Sequence, residues 1–316
     1  MARRRTGTQT TLGNRVSLSG VGVHSGEQVS VTLHPAEADC GIYFNRTNLE
    51  DGRDREIPAD FRYVNATDLC TSIGVSGASV ATIEHLMATL RALDIDNCAI
   101  EVDGPEVPVM DGSAEAFVDA VDQAGVEHLS APRRYIRIER PIRVEMGKSF
   151  AEFVPHDGQR IEVEIDFANH LVGRQAFGFD VCGKVFRDEV CRARTFGFYA
   201  DVKNLWARGF ALGASLENAV VIGEDRIMNP EGLRFTDEFV RHKALDAIGD
   251  LALAGAPILG CYRSYRGGHK LNHMALQALL ADRDAWSIVE LPARRETGHG
   301  ELPAALAAAA FGPDVS

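Results

Sequence analysis

Two polar residues of a predicted helix have the types and the spacing of metal ligands. His242 and Asp246 are four residues apart in the segment 237–254, so they share one face of that helix. The residues expected to face the core are different ones: Val240, Ala244, Leu245, Ile248 and Leu251. A His and an Asp at this spacing also form ordinary hydrogen bonds on solvated helix faces, so the pair alone leaves both interpretations open.

A further candidate ligand lies on an earlier helix, predicted over residues 81–93. The apolar residues of its core stripe recur at helical spacing: Ile83, Leu86, Met87 and Leu90. His85 points away from that stripe. If the non-core faces of the two helices meet, His85, His242 and Asp246 converge. Two imidazoles and a carboxylate are a ligand set of catalytic zinc with one position open for water, so the sequence predicts a zinc site between the helices.

Glu84 and His269 are candidates for acid–base chemistry at such a site. Glu84 directly precedes His85, and a carboxylate beside a ligand suits the general base that takes a proton from activated water. Two glycines precede His269 and allow the backbone to approach a cleft, into which the imidazole would project. Asp250 is placed to keep His269 protonated. The alternative for His269 is a turn residue with no chemical role.

Composition places the chain among ordinary globular proteins. It has 316 residues, 45% of them hydrophobic and 25% charged, which excludes disordered and collagen-like classes. A net charge of -12 argues against a nucleic-acid partner, because an acidic surface repels phosphate backbones. No apolar run approaches the ~18 residues of a membrane span, and no apolar segment follows the first arginines, so we expect a cytoplasmic protein. We also expect it to be a monomer. The six cysteines include no Cys-x-x-Cys pair, which argues against a cysteine zinc site.

Hydrophobic periodicity divides the chain into two halves with one order of elements. Each half runs strands, helix, strand and helix, which predicts an α+β fold of two similar two-layer domains packed together. A polar segment at residues 129–134 is predicted to be a linker, so the domains would span residues 1–131 and 132–316. Ser113 and Thr236 are predicted to cap helices, and an Ala-rich tail at 304–310 would be a short helix or frayed.

Five segments that occur in order together resemble one enzyme family. They are Thr82–Leu86, Met110–Ser113, Arg192–Gly197, Phe239–Leu251 and Gly268–Asn272. Their sequences closely resemble the UDP-3-O-acyl-N-acetylglucosamine deacetylases, which are zinc amidases of lipid A biosynthesis in Gram-negative bacteria. The resemblance extends over about residues 12–295, nearly the whole chain. No single segment is specific for the family, but a chance match of five segments in the same order and at similar separations is a poor explanation.

The resemblance implies a role for each matching residue. His85, His242 and Asp246 match the zinc ligands of the family. Glu84 matches the general base, and His269 matches the general acid.

Three further positions match groups that support the reaction. Asp250 matches the carboxylate partner of the general acid, and Thr195 matches the hydroxyl that helps bind the tetrahedral oxyanion. Lys243 matches a lysine that faces the polar substrate.

The family fold implies two α+β halves packed helix to helix, each with a small insert. The first insert would be a strand unit near 61–79, and the second a strand–helix–strand unit near 191–223 that forms a tunnel for the acyl chain. Apolar residues in the second segment suit such a tunnel: Phe196, Phe198, Val202, Leu205, Ala211 and Ala214. Ordinary core packing is the alternative for each of them.

The resemblance implies Zn²⁺-dependent hydrolysis of the acetamide of UDP-3-O-acyl-N-acetylglucosamine, with release of acetate and the free amine. A zinc amidase that acts on another acylated amino sugar is one alternative. A binding protein that uses the metal to clamp its halves together is another. A closed site with four protein ligands would favour the clamp, whereas three ligands with Glu84 and His269 nearby favour catalysis.

Overall fold

Among its described residues, the first half of the chain, up to residue 132, contains ten strands and two α-helices. The structure is a computed structural model that describes residues 7–49 and 52–290. The strands are β1 (Thr8–Leu12), β2 (Val16–Val21), β3 (Gln28–Pro35), β4 (Ile42–Arg46), β5 (Arg55–Pro58), β6 (Val64–Ala66), β7 (Ser72–Val75), β8 (Ala78–Val80), β9 (Cys98–Val102) and β10 (Val126–Pro132). The helices are α1 (Glu84–Ala92) and α2 (Glu115–Ala124).

The second half contributes nine strands and four helices to the described structure. The strands are β11 (Arg134–Ile138), β12 (Ile142–Met146), β13 (Ser149–Val154), β14 (Gln159–Asp166), β15 (Arg174–Asp180), β16 (Phe196–Phe198), β17 (Val220–Ile222), β18 (Ile258–Tyr265) and β19 (Trp286–Glu290). The helices are α3 (Gly183–Val185), α4 (Val202–Ala207), α5 (Glu238–Ala252) and α6 (His269–Ala281).

The main sheet of the first half has the strand order β2-β3-β9-β4-β5. Only the β4–β9 pair is parallel, and the other neighbours are antiparallel. Burial alternates along β3, where Val29, Val31 and Leu33 face the core. This alternation is the period-2 pattern expected when one face of a sheet packs against helices.

The main sheet of the second half is organised around β18. One edge of β18 pairs with β13, and the other pairs in parallel first with β11 and then with β14. The outer neighbours are β12, β15 and β19. The two halves therefore have the expected α+β character, and their division into domains near residue 131 stays a prediction.

Helices α1 and α5 pack directly on each other between the two sheets. Gly249 makes their close approach possible, because a Cβ built at this position would lie 2.0 Å from the carbonyl oxygen of Glu84. Glycine in a helix interior costs about 1 kcal/mol relative to alanine, so a packing requirement explains its presence there. The expected helix-to-helix arrangement is thus observed.

Both expected inserts contain regular structure. Strands β6, β7 and β8 form a three-stranded sheet in the first half. In the second half β16 and β17 pair in parallel, with α4 between them in the chain. Each insert leads directly into residues of the cleft described below.

Two local predictions are wrong. The predicted linker at 129–134 is mostly β10, which pairs antiparallel with β1 at the start of the described chain. Local composition does not show this strand, because its partner lies far away in sequence. Asp237, rather than Thr236, is the N-cap of α5. The first turn of α5 is instead fixed by Glu238, whose carboxylate accepts hydrogen bonds from the backbone N–H groups of Arg194 and Arg234.

Other local predictions hold or lie outside the described residues. Helix α2 begins near Ser113 as predicted, but its N-cap is Ala114; the Ser113 hydroxyl accepts a hydrogen bond from the backbone N–H of Glu115 at 3.2 Å. The Ala-rich tail at 304–310 lies outside the described residues. Within the described ranges, no helix has both the length and the apolar character needed to cross a bilayer.

Candidate functional site

His85, His242 and Asp246 converge where α1 crosses α5. Their potential ligand atoms all lie within 4.8 Å of one another. The Asp246 Oδ1 atom is 3.6 Å from Nε2 of His85 and 3.3 Å from Nε2 of His242. All three side chains are buried. The structure therefore brings together the three ligands that helix-face geometry predicted.

The His242 imidazole is oriented for metal binding. Its Nδ1 atom lies 3.0 Å from the carbonyl oxygen of Ala193, which can only accept, so Nδ1 carries the proton and Nε2 keeps its lone pair. Burial lowers the pKa of His242 to about 4, aided by His85 and Lys243 and opposed by Asp246. A neutral imidazole with a fixed tautomer is the form that binds a metal ion.

Asp246 leaves one carboxylate oxygen available between the imidazoles. Its Oδ2 atom accepts a hydrogen bond from Nζ of Lys243 at 2.6 Å. Its Oδ1 atom is buried and has no hydrogen-bond partner within the described chain. Burial opposes ionisation, but His242 and Lys243 hold the pKa of Asp246 well below its usual range. A buried carboxylate oxygen that faces two imidazole nitrogens and receives no hydrogen bond of its own fits a divalent metal ion.

Glu84 is the first residue of α1 and lies beside this group. Its Oε2 atom accepts a hydrogen bond from the backbone N–H of Thr71 at 3.1 Å. Its Oε1 atom is 3.9 Å from Nε2 of His269. Burial raises the pKa of Glu84, although the imidazoles of His269 and His85 oppose that rise. Burial therefore makes the Glu84 carboxylate more basic than a solvated one.

His269 is the first residue of α6 and is held by Asp250 of α5. Its Nδ1 atom lies 2.9 Å from Oδ2 of Asp250. The Asp250 carboxylate also accepts from Asn272 Nδ2 at 2.7 Å and from Thr71 Oγ1 at 2.5 Å. Burial alone would lower the pKa of His269, but Asp250 raises it to about 9. The imidazole is thus protonated at neutral pH.

A cavity of about 590 Å³ opens onto these groups. The predicted ligands, the predicted base and acid, Lys243 and Thr195 all line it. Five of the six predicted tunnel residues also line it: Phe196, Phe198, Leu205, Ala211 and Ala214. Val202 is not part of its wall. Phe196 packs edge-on against Phe239 at 4.9 Å, so its ring also belongs to the core of the second half.

The backbone of Thr195 is fixed in the cavity wall by the turn at Met110–Ser113. Its N–H donates to the carbonyl of Gly112 at 2.7 Å. Gly112 has φ +86, and a Cβ there would lie 2.2 Å from the carbonyl oxygen of Asn218. Only glycine meets both conditions, so this residue brings the first half against the second at Thr195.

Sequence reasoning missed Glu106, which ties together two segments of the cleft. Its carboxylate accepts hydrogen bonds from the backbone and hydroxyl of Ser25, each at 2.7 Å, and from the backbone of His24 at 3.1 Å. It also accepts from the hydroxyl of Thr82 at 2.9 Å. Thr82 has φ +56, an uncommon conformation for a β-branched residue, just before Glu84.

Sequence reasoning also missed Thr71, which bonds both Glu84 and Asp250. Thr71 directly follows Cys70, whose thiol is the most reactive group of this segment by residue type. That thiol is buried, and burial raises the pKa of Cys70 to about 12, so it is inert as a nucleophile. The functional contact belongs to the next residue, and no local pattern distinguishes it.

Comparisons with known proteins agree with this geometry. A sequence profile of the family described as UDP-3-O-acyl N-acetylglycosamine deacetylase matches residues 9–281. A protein of Brucella ovis named UDP-3-O-acyl-N-acetylglucosamine deacetylase is 55% identical over 283 residues, which is 89% of this chain and 98% of the relative. Proteins of the same name from Brucella canis and Brucella melitensis biotype 2 have the same identity and coverage. Such matches over most of both chains show that this chain belongs to the UDP-3-O-acyl N-acetylglycosamine deacetylase family.

Proposed function

We propose that the chain hydrolyses the acetamide of UDP-3-O-acyl-N-acetylglucosamine, an early step of lipid A biosynthesis. The products are acetate and UDP-3-O-acyl-glucosamine. The observation that carries the proposal is the convergence of a three-ligand metal site, a buried carboxylate and a buried imidazolium on one cavity of about 590 Å³. Membership of the family and the names of its relatives agree with it.

His85, His242 and Asp246 would hold a zinc ion. When bound, such an ion supplies Lewis-acid chemistry that polarises a carbonyl and makes water acidic near neutral pH. Among the described residues the candidate ligand group has three members, and Glu84 and His269 lie beside it. This count favours catalysis over a structural clamp, which uses a closed set of four protein ligands.

Glu84 and His269 divide the proton transfers between them. In hydrolysis the acetamide carbon gains an oxygen from water and loses its bond to the sugar nitrogen. Glu84 accepts the proton that the attacking water loses, a role that its raised pKa favours. His269 donates the proton on Nε2, the nitrogen nearer Glu84 and Asp246, to the departing nitrogen. Asp250 accepts the hydrogen bond from Nδ1 and stabilises the imidazolium until then.

Thr195 and Lys243 bind the polar part of the reacting group. The Thr195 hydroxyl donates to the oxygen that becomes negative in the tetrahedral intermediate. Lys243 keeps its charge, because Asp246 raises its pKa against the effect of burial. The apolar wall formed by Phe196, Phe198 and Ala211 suits the acyl chain of the substrate.

The test is hydrolysis of the acyl substrate by the purified chain, with acetate and free amine measured together with metal content. We expect turnover that a chelator abolishes and that added Zn²⁺ restores. UDP-N-acetylglucosamine, which lacks the acyl chain, is the matched control and should react far more slowly. Equal turnover of both compounds would favour an amidase for another sugar, and turnover that survives complete metal removal would contradict the proposal.

The proposal extends to the state of the protein in the cell. We propose a cytoplasmic monomer, in line with the acidic composition and the lack of a bilayer-length apolar helix in the described chain. Light scattering after size exclusion should give the mass of one chain, 34.3 kDa. A mass of twice that value would contradict the monomer and leave the chemistry unaffected.

A further inference from the structure

Arg194 and Glu238 form a buried ion pair beside the cleft. Only 3% of Arg194 and 0% of Glu238 is exposed. Nε of Arg194 donates to Oε1 of Glu238 at 2.8 Å, and Nη2 donates to Oε2 at 3.2 Å. Nη1 donates to the carboxylate of Glu231 at 2.6 Å, and Nη2 also donates to the carbonyl of Gly232 at 2.7 Å. Four hydrogen bonds therefore hold the guanidinium in one orientation.

Helix α5 holds the segment of residues 193–195 at two points. At the first point, Oε1 of Glu238 accepts from the backbone N–H of Arg194 at 3.0 Å. At the second, Nδ1 of His242 donates to the carbonyl of Ala193 at 3.0 Å. Glu238 and His242 are four residues apart, so they share one face of α5. The proposed metal ligand and the buried carboxylate thus bind the same short segment.

The two neighbours of Arg194 both belong to the proposed site. Ala193 supplies the carbonyl that fixes the ring of His242, and Thr195 lines the cleft. Because planar peptide bonds join the three residues, a displacement of the Arg194 backbone moves both neighbours. The ion pair therefore controls two groups of the site at once.

The contribution of such a pair is orientation more than stability. Burial of two charges costs free energy that their attraction only partly returns, so a buried pair is weak evidence for stability. A planar guanidinium that forms two bonds with one carboxylate has few alternative geometries. Arg194 and Glu238 meet this description, and the backbone of Arg194 is bound to the same carboxylate.

We propose that Arg194 and Glu238 are positioning residues, which set the carbonyl of Ala193 against His242 and keep Thr195 in the wall of the cleft. The inference rests on the proposed function, because it concerns the metal ligand and the oxyanion donor named there. A hydrogen bond to the second nitrogen of a ligating imidazole fixes its tautomer and ring orientation, and loss of such a bond typically costs 10–100-fold in metal affinity or activity.

The first test measures the dissociation constant of Zn²⁺ by chelator competition on the metal-free chain, without substrate. Arg194→Lys keeps the charge but cannot form two bonds with Glu238, so we expect Kd to rise about 10–100-fold. The matched control is Arg133→Lys, at an equally buried arginine that binds Asp94 and Asp96 and is not part of the cleft wall. Its Kd should equal that of the wild type. An unchanged Kd in Arg194→Lys, or an equal rise in both variants, would overturn the proposal.

A milder variant serves if Arg194→Lys does not fold. The side chain of Glu231 is 54% exposed, so Glu231→Ala leaves the core intact and removes only the bond to Nη1 of Arg194. We expect a smaller rise of Kd, a few-fold, in the same direction. A Kd equal to that of the wild type in Glu231→Ala would overturn the proposal even without the lysine variant.

The second test measures kcat and KM at saturating Zn²⁺. Arg194→Lys should lower kcat roughly tenfold and leave KM near the wild-type value, because Thr195 binds charge that develops only in the transition state. A solely structural pair would change neither constant in the folded enzyme, so an unchanged kcat would remove Thr195 from the inference. A wild-type chain that binds no Zn²⁺ would contradict the proposed function itself. Normal zinc binding by the wild type with no difference in the variants would refute this inference alone.

Discussion

The two sides of the cleft hold the proposed base, Glu84, and the proposed acid, His269, in different ways. On the side of the first half, Glu84 accepts one hydrogen bond, from the backbone of Thr71. On the side of the second half, His269 is bound by Asp250, which is itself held by Thr71 and Asn272. Asn272 in turn accepts from the hydroxyl of Tyr262 at 2.5 Å. One side is a nearly free carboxylate, and the other is an imidazole at the end of a connected network.

This difference corresponds to the two tasks. A base must accept a proton during the reaction, so a carboxylate that retains unoccupied lone pairs is suited to it. An acid must keep its proton until the nitrogen leaves, so a fixed anionic partner is suited to it. Burial raises the pKa of Glu84, whereas Asp250 raises the pKa of His269 in spite of burial. Opposite physical causes thus prepare the two groups.

The largest expected effect on activity comes from substitution of the proposed metal ligands, which lie between the two sides of the cleft. Asp246→Ala removes one of three protein ligands, so we expect loss of most bound zinc and a fall in kcat/KM of roughly 10³-fold or more. His242→Ala should behave in the same way. Metal content by mass spectrometry, measured beside activity, checks this. Near-stoichiometric zinc in either variant would show that the ligand assignment is wrong.

The next largest expected effect on turnover comes from substitution of Glu84, on the side of the first half. Glu84→Gln keeps the shape of the side chain and removes its basicity, so turnover should fall by about 10²–10⁴-fold with zinc retained. Glu101→Gln, on the exposed side of β9, is the matched control and should leave turnover unchanged. Near-native turnover in Glu84→Gln would assign the base to another group.

A smaller expected effect concerns the pH dependence of activity, which tests His269 and Asp250 on the side of the second half. The reaction needs the imidazolium of His269, whose pKa is raised to about 9, so activity should persist to about pH 9 and fall above it. The acidic limb should reflect ionisation of Glu84. Asp250→Asn removes the charge that raises the pKa of His269, so the basic limb should move toward neutral pH and the rate should fall roughly tenfold or more.

The measurement is the pH profile of kcat/KM for the wild type, Asp250→Asn and His269→Ala. A basic limb that stays in place in Asp250→Asn would remove Asp250 from its role. A limb that survives in His269→Ala would show that another group sets it.

The smallest effect concerns Glu106, which supports the cleft without lining it. Glu106→Gln replaces an acceptor of four hydrogen bonds by an amide that cannot accept them all, so we expect a loss of about 1–3 kcal/mol in unfolding free energy. The rate should fall only a few-fold. Chemical denaturation checks the first expectation, and a wild-type unfolding midpoint would contradict it.

Most of what the sequence could predict about the site followed from the pattern of apolar and polar residues on the faces of α1 and α5. The core stripes of α1 and α5 left His85 on one non-core face and His242 with Asp246 on the other, and packing of those faces brings the three together. The α+β character followed from the same periodicity. These predictions succeeded because each depends on residues within a few turns of one element.

The remaining features depend on contacts between segments far apart in the chain. Thr71 reaches Asp250 across the two halves, and Glu106 reaches the turn that contains Ser25. β10 was mistaken for a linker because its partner β1 lies at the other end of the first half. In each case the local sequence is compatible with several conformations, and tertiary pairing selects one.

The close approach at Gly249 has a consequence for how this cleft tolerates change. One hydrogen atom is all that fits between α5 and the carbonyl of Glu84, since a Cβ would lie 2.0 Å from that oxygen. The crossing therefore fixes the distance between Glu84 on α1 and the proposed ligands His242 and Asp246 on α5. A saturation library at this codon should therefore return glycine alone among active clones.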